Sequence, residues 1–176
     1  MNSTLTKQII IRSAIETDAK ALFLWQIDED LNRYDPKPLP SRREELLESC
    51  QVFACFFKDE IMSDETGEYQ YFMIANESNQ PIGYINVFSI DEIKKEAELG
   101  IMIGNRNYQG KGVASYALNK VLMQIQEYGD LKRIYVETNV DNYSAVRLFE
   151  RAGFIKVGIE DWGKGVFFQT MEKHLK

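Results

Sequence analysis

The sequence is poor in the residues that metal, redox and membrane chemistry require. Its 176 residues include one histidine, His174, and two cysteines, Cys50 and Cys55. A catalytic histidine is not expected, and neither is a metal site. The two cysteines lie five apart in a stretch of helical period, a spacing that does not favour a local disulfide. Both are expected on a buried helix face in a reducing compartment. Nowhere do about eighteen apolar residues run together, and Met1 to Lys7 show no signal-like pattern. The expectation is a cytoplasmic protein with no membrane partner. A dense Lys/Arg stripe is also missing and the net charge is −6, which argues against nucleic acid as a partner. A mildly acidic surface would suit a cationic substrate, but it reads first as a solubility feature.

What is present describes one folded domain over residues 1–176. The chain is long enough to bury a real core, and 44% apolar with 27% mixed charge is the composition of a globular protein. The informative stretch runs from Glu98 to Ser115. Leu99, Ile101 and Ile103 alternate with Glu98, Gly100, Met102 and Gly104, the period of a half-buried strand. After Gly112 the period changes. Val113, Ala114, Ala117, Leu118, Val121, Leu122 and Ile125 recur at three- and four-residue steps, so an amphipathic helix is expected from near Gly110. A glycine turn opening a helix presents unpaired N–H groups and the positive end of the helix dipole, a site for phosphate or pyrophosphate. Walker A requires Ser or Thr after Gly-Lys, whereas Lys111 is followed by Gly112. The dinucleotide fingerprint requires a small third residue and glycines directly after the strand; Ser115 is a poor substitute, and Asn105 to Gln109 intervene.

The remaining elements follow from period and punctuation. Gln8 to Arg12 is a β-branched strand, and Thr17-Asp18 opens a helix over Ala19, Leu22 and Trp25. The acidic segment Asp28 to Asp35 ends at Pro36, Pro38 and Pro40 and reads as a loop or broken helix. Ser41 with Glu44 has capping-box spacing for a second helix through Leu46, Cys50, Phe53 and Phe57, ended by a turn at Ser63 to Gly67. Tyr69 to Ala75 and Ile82 to Ile90 form a hairpin. Leu131 to Thr138 is a strand, Asn142 to Ala152 a helix ended by Gly153, and Phe154 to Trp162 and Val166 to Met171 the last two strands. The order is β, two helices, three strands, helix, strand, helix, two strands, an α/β plan around one sheet.

Gln109, Gly112 and Ala114 occupy the positions of a Gln-x-x-Gly-x-Ala motif, and here the chain resembles the GNAT superfamily of acyl-CoA-dependent N-acetyltransferases. A second motif supports the likeness. Val136 to Asn142 leads into Leu148-Phe149-Glu150-Arg151-Ala152-Gly153-Phe154, similar to the family's Asn-initiated helix ending in an aliphatic-aromatic-Glu-Lys/Arg-x-Gly-Phe run. The resemblance covers most of Tyr69 to Met171 and implies a mixed, mostly antiparallel sheet of about seven strands flanked by helices, with a splayed central strand pair.

By that resemblance, acetyl-CoA is the co-substrate and no metal takes part. Backbone groups of Ile101, Met102 and Ile103 would meet pantetheine and the acetyl carbonyl, Met102 among the catalytic positions. Gln109, Gly110, Lys111, Gly112, Val113, Ala114 and Ser115 would hold the pyrophosphate, with Asn142 and Phe149 also on the cofactor. The reaction itself demands more: an alkylammonium of pKa ~10.4 must lose a proton before its nitrogen attacks a thioester. Glu98, on the strand face of Met102, is the candidate base, directly or through water; the competing reading is a surface glutamate. The acid for the departing thiolate departs from the family pattern, since Phe149 stands where many members have Tyr, and Ala145 where one branch has Ser. Tyr143, Ser144 or water could serve. The acceptor wall falls on Trp25, Asp28 and Tyr34, which resemble the branch acting on ribosomal-protein N-termini, polyamines or aminoglycosides. The partner is accordingly a small-molecule amine or a peptide N-terminus, with a homodimer left open. Two alternatives remain: a CoA-binding sensor of the same fold without chemistry, and a nucleotide-binding protein using the glycine loop.

Overall fold

The structure, a computed structural model, describes residues 8–63 and 69–176, the side chain of Tyr128 apart. Of the turn expected at Ser63 to Gly67, all but Ser63 lies outside the described residues. Strand β1 (Ile10–Ser13) leads through a 3-10 turn into α1 (Ala19–Gln26). Helix α2 (Arg43–Phe56) continues as a π-helical turn over Phe57–Met62. Strands β2 (Gln70–Ala75), β3 (Pro81–Asp91) and β4 (Glu96–Met102) form a meander. Then come α3 (Val113–Tyr128), β5 (Arg133–Asn139), α4 (Tyr143–Arg151), β6 (Ile155–Asp161) and β7 (Phe167–His174). The element order is the one expected from the sequence.

One sheet of seven strands in the order β1-β2-β3-β4-β5-β7-β6 carries the fold. All neighbours are antiparallel except β4 and β5. A parallel pair needs a long crossover, and α3 supplies it. Its apolar stripe lies on one sheet face, where Ala117, Leu118 and Val121 are fully buried against a cluster that includes Ile85, Val87, Ala97, Ile134 and Val136. Each such side chain contributes ~1.5–3 kcal/mol on burial. Helices α1 and α2 cover part of the opposite face with a smaller cluster, Leu22, Phe53, Phe57 and Met73.

Several local readings are corrected. Cys50 and Cys55 are exposed. Within α2 only Phe53 is buried, while Leu46 and Leu47 at its start are 39% and 56% exposed. Cys55 follows Phe53 by two residues, about 200° around the helix, and Cys50, at mid-helix, is left uncovered like Leu46 and Leu47 before it. The α2 cap is shifted by one residue: Glu45, not Glu44, reaches back, accepting from Ser41 N at 2.9 Å and Arg42 N at 3.2 Å. Asp18 directly precedes α1, as expected, but its side chain serves the turn before it, accepting from Ile15 N at 2.9 Å, and not the helix. It is completely buried and holds Arg12 by two hydrogen bonds of 2.6 and 2.9 Å, pinning the start of α1 to β1. Helix α3 begins at Val113, after Gly112.

Candidate active site

A fork in the sheet defines the site. Strand β4 pairs with β5 only from Glu96 to Glu98, opposite Arg133 to Tyr135. Beyond that point β5 continues against β7 as far as Asn139, and β4 continues against β3 as far as Met102. The β5-facing backbone groups of β4 after Glu98 therefore have no strand to pair with. Glycine serves close approach here. A Cβ on Gly100 would meet Asn86 Oδ1 at 2.5 Å, and one on Gly104 would meet the Trp25 ring at 2.1 Å.

The chain then turns into α3. The Gln109 side chain donates to the Ile103 carbonyl at 2.8 Å, so this motif residue closes the loop back onto the end of β4. Gly110 and Gly112 take φ of +69° and +83°, the left-handed region that glycine enters without a Cβ penalty. No atom lies within 4 Å of a Cβ built on either, so their outer side is open. The N–H groups of Val113, Ala114 and Ser115 open the helix and have no partner inside it. Facing them, Asn142 caps α4: its Oδ1 accepts from Ala145 N at 3.2 Å and Ser144 Oγ at 2.9 Å.

These elements enclose a cavity of about 720 Å³. Strand β4 and its end contribute Ile101, Met102 and Ile103, and the loop contributes Gln109, Gly110 and Gly112. Val113, Ala114 and Ser115 line it from α3, Asn142 and Ser144 from α4, and Tyr34 from the α1–α2 connection. Other expected residues, Glu98 among them, are not in its lining. Lys111 is exposed outside the lining, and the Tyr143 side chain is 67% exposed. Phe149 is buried against Phe154, with ring centroids 5.4 Å apart, in the core under α4. Trp25 stacks on Tyr84 at 6.4 Å, and Asp28 accepts from Leu31 N at 3.0 Å and is salt-bridged to Arg106 at 3.2 Å.

The cavity residues not singled out as candidates from the sequence include three arginines, Arg33, Arg106 and Arg151, and the carboxylate of Asp30. Arg106 is salt-bridged to Asp28 and, at 2.8 Å, to Asp30, so an anion in this cavity is favoured chiefly by Arg33 and Arg151. Arg151 lies inside the second motif and Arg106 just before the first, and that adjacency was the available signal.

Glu98 stands at the fork, half-buried, with Phe88 and Tyr135 as its register partners. Burial, and then the charge of Glu137, push its pKa up to about 7. Glu137 is itself raised by burial and by Glu160, so three acids crowd this sheet face across β4, β5 and β6. A carboxylate that changes charge near neutral pH can take a proton from an ammonium and release it to water.

Comparison with known proteins agrees with this geometry. A family model described as an acetyltransferase (GNAT) domain matches residues 8–155. The chain is 32% identical over 98 residues to the ribosomal-protein-serine acetyltransferase of Escherichia coli K12, covering 56% of this chain and 54% of that protein. It is also 32% identical over 87 residues to a spermidine N(1)-acetyltransferase of Vibrio cholerae, covering 49% and 50%. The chain thus spans about half the length of these curated relatives. Among solved structures, spermidine N-acetyltransferase from Vibrio cholerae in complex with CoA and spermine superposes with a TM-score of 0.77, at 22% identity over 96% of both chains. That likeness establishes the fold.

Proposed function

The chain belongs to the GNAT acetyltransferase family, and we propose that it transfers an acetyl group from acetyl-CoA to a primary amine by direct attack in a ternary complex. The observation that carries the reading is the fork, where β4 leaves β5 after Glu98 and its free residues Ile101 and Met102 share one cavity with the opening turn of α3. The N–H groups of Val113, Ala114 and Ser115 would hold the pyrophosphate, with Arg33 and Arg151 nearby. Backbone groups of Ile101 and Met102 would bind pantetheine and the acetyl carbonyl, whose oxyanion needs a preorganised N–H. Glu98 would deprotonate the amine. Ser144, which lines the cavity while Tyr143 stands outside it, is the better placed group to protonate the thiolate; with a thiol pKa near ~8.5, that step demands little. Cys50 and Cys55 lie on α2, outside the cavity lining, so no acyl-cysteine relay is invoked. The sensor alternative rests on the substitution of Phe149 and Ala145 at the family's acid positions.

The test is calorimetric titration with acetyl-CoA, with NADH and ATP as controls, followed by an amine screen for thiol release. Binding of acetyl-CoA alone with turnover of an amine is the expected outcome. Binding without turnover of any amine would favour the sensor, and preference for a nucleotide would overturn the assignment.

A further inference from the structure

A second cavity of about 470 Å³ opens between α1, α2 and the sheet, within the size range of small-molecule sites. It abuts the first. Tyr84, on its floor, is the register partner of Met102, which lines the first cavity. Facing residues of adjacent antiparallel strands lie ~5 Å apart. The connection between α1 and α2 walls both: Leu31 and Tyr34 face the first cavity, Asn32 and Asp35 the second.

We propose that this second cavity is the acceptor site and takes a primary monoamine borne on a single hydrophobic body, aryl-alkyl or branched alkyl. The inference rests on the transferase reading above and goes beyond it in naming the substrate class. The cavity's walls are apolar for the larger part, with Leu22 and Ile27 from α1 and its end, Leu39 from the connection and Val52, Phe53 and Phe56 from α2, while Gln26, Asn32 and Ser49 add neutral polar groups. Its floor carries two phenols, Tyr71 and Tyr84. Among the described residues of the lining, charge is scarce and of both signs, with Asp35 as the carboxylate and Lys37 two residues on. Asp35 is near enough for its charge to add to burial in raising the Tyr84 phenol, and one of its oxygens accepts from Lys37 N at 2.8 Å.

This composition discriminates among amines. A linear polyamine carries several ammonium groups, and each one left unpaired against such walls loses its hydration without return. One carboxylate beside one lysine suits one ammonium. A hydrophobic body gains ~25 cal/mol for each Å² it hides from water. From the floor, the row Tyr71, Asn86, Gly100 runs cross-strand towards the fork, with Asn86 hydrogen-bonded to Tyr71. With a body seated over Tyr71 and Tyr84, the ammonium held by Asp35 on entry would leave it along that row for Glu98, where its proton is taken.

The experiment is titration of the full chain, without acetyl-CoA and then with it, using 2-phenylethylamine, its isostere 2-phenylethanol, spermidine and a serine-initiated peptide. Val52→Trp plugs the cavity from a side chain that is 65% exposed, so the fold should tolerate it; Asp35→Asn removes the charge. The expected result is binding of 2-phenylethylamine in preference to the other three. Val52→Trp should weaken it at least tenfold while leaving acetyl-CoA affinity within about twofold, and Asp35→Asn should abolish the preference for the amine over the alcohol. Preference for spermidine or the peptide, or amine binding unchanged by Val52→Trp, would overturn the proposal and leave the transferase reading intact. Failure of acetyl-CoA to bind, with the amine still held in the cavity, would overturn the transferase reading and leave the amine site standing.

Discussion

The two sides of the sheet are built differently. On the cofactor side, α3 buries its stripe completely and fixes a loop whose glycines have no substitute conformation. On the acceptor side, α2 buries Phe53 and leaves Leu47 and Val52 in solvent, and the connection to α1 is a run of prolines and polar residues. One side is a rigid holder for a ligand of constant shape. The other is a thin cover over a cavity, joined to the first where the Trp25 ring lies against Gly104. Rigidity is placed where the ligand is constant and slack where selectivity is decided.

The strongest way to sharpen that contrast is chemical. Glu98→Gln should lower kcat by about 10²–10⁴ with little change in acetyl-CoA affinity, measured by thiol release and calorimetry. In the parent, kcat/KM should rise as pH passes through about 7, because the deprotonated carboxylate is the base; the variant's profile should be flat there. Stability runs the other way. The folded state holds this proton more tightly than the unfolded chain does, so Glu98's contribution declines from about pH 4.5 up to about 7, and Glu98→Gln should flatten that slope in denaturant titrations.

Next in size is Arg12→Ala, which leaves the buried Asp18 carboxylate unpaired and should cost about 3 kcal/mol in urea unfolding. Gly104→Val forces a side chain into the Trp25 ring. It should destabilise by ~1–3 kcal/mol and raise the amine KM more than that for acetyl-CoA, breaking the joint between the two halves. Gly112→Ala, at φ +83°, should cost ~1–2 kcal/mol in backbone strain and weaken acetyl-CoA about tenfold or more, the excess over strain reporting on lost N–H geometry. The smallest effect is expected for Cys55→Ser, exposed on α2, within ~0.5 kcal/mol in thermal melts.

How much of this could be read in advance follows the same division. The period of Val113 to Ile125 and the alternation of Leu99 and Ile101 are strong local signals, because those residues are buried by elements whose regularity the pattern itself encodes. The glycine turn was legible because glycine enters the left-handed region without a Cβ penalty. The pairing of Arg12 with Asp18 was not: both residues suit a surface, and only tertiary closure buries the carboxylate. The exposure of Cys50 and Cys55 was hidden for a related reason, since a helical period fixes which residues share a face but not whether anything covers it. Phe149 shows the limit of motif reading. Its position in the run is conspicuous, yet its ring supports the core beneath the site. The second cavity had no sequence signature, because residues from both helices and two strands meet there without any common period.

The shared wall has an evolutionary corollary. Within the α1–α2 connection, Leu31 and Asn32, and again Tyr34 and Asp35, are chain neighbours that face different cavities. An inserted or deleted residue in that stretch would change which side chains meet which cavity and disturb both walls at once. Point substitutions carry no such penalty. If the two cavities hold cofactor and acceptor as proposed, what the chain accepts can change residue by residue, while the length of the segment is tied to both sites together.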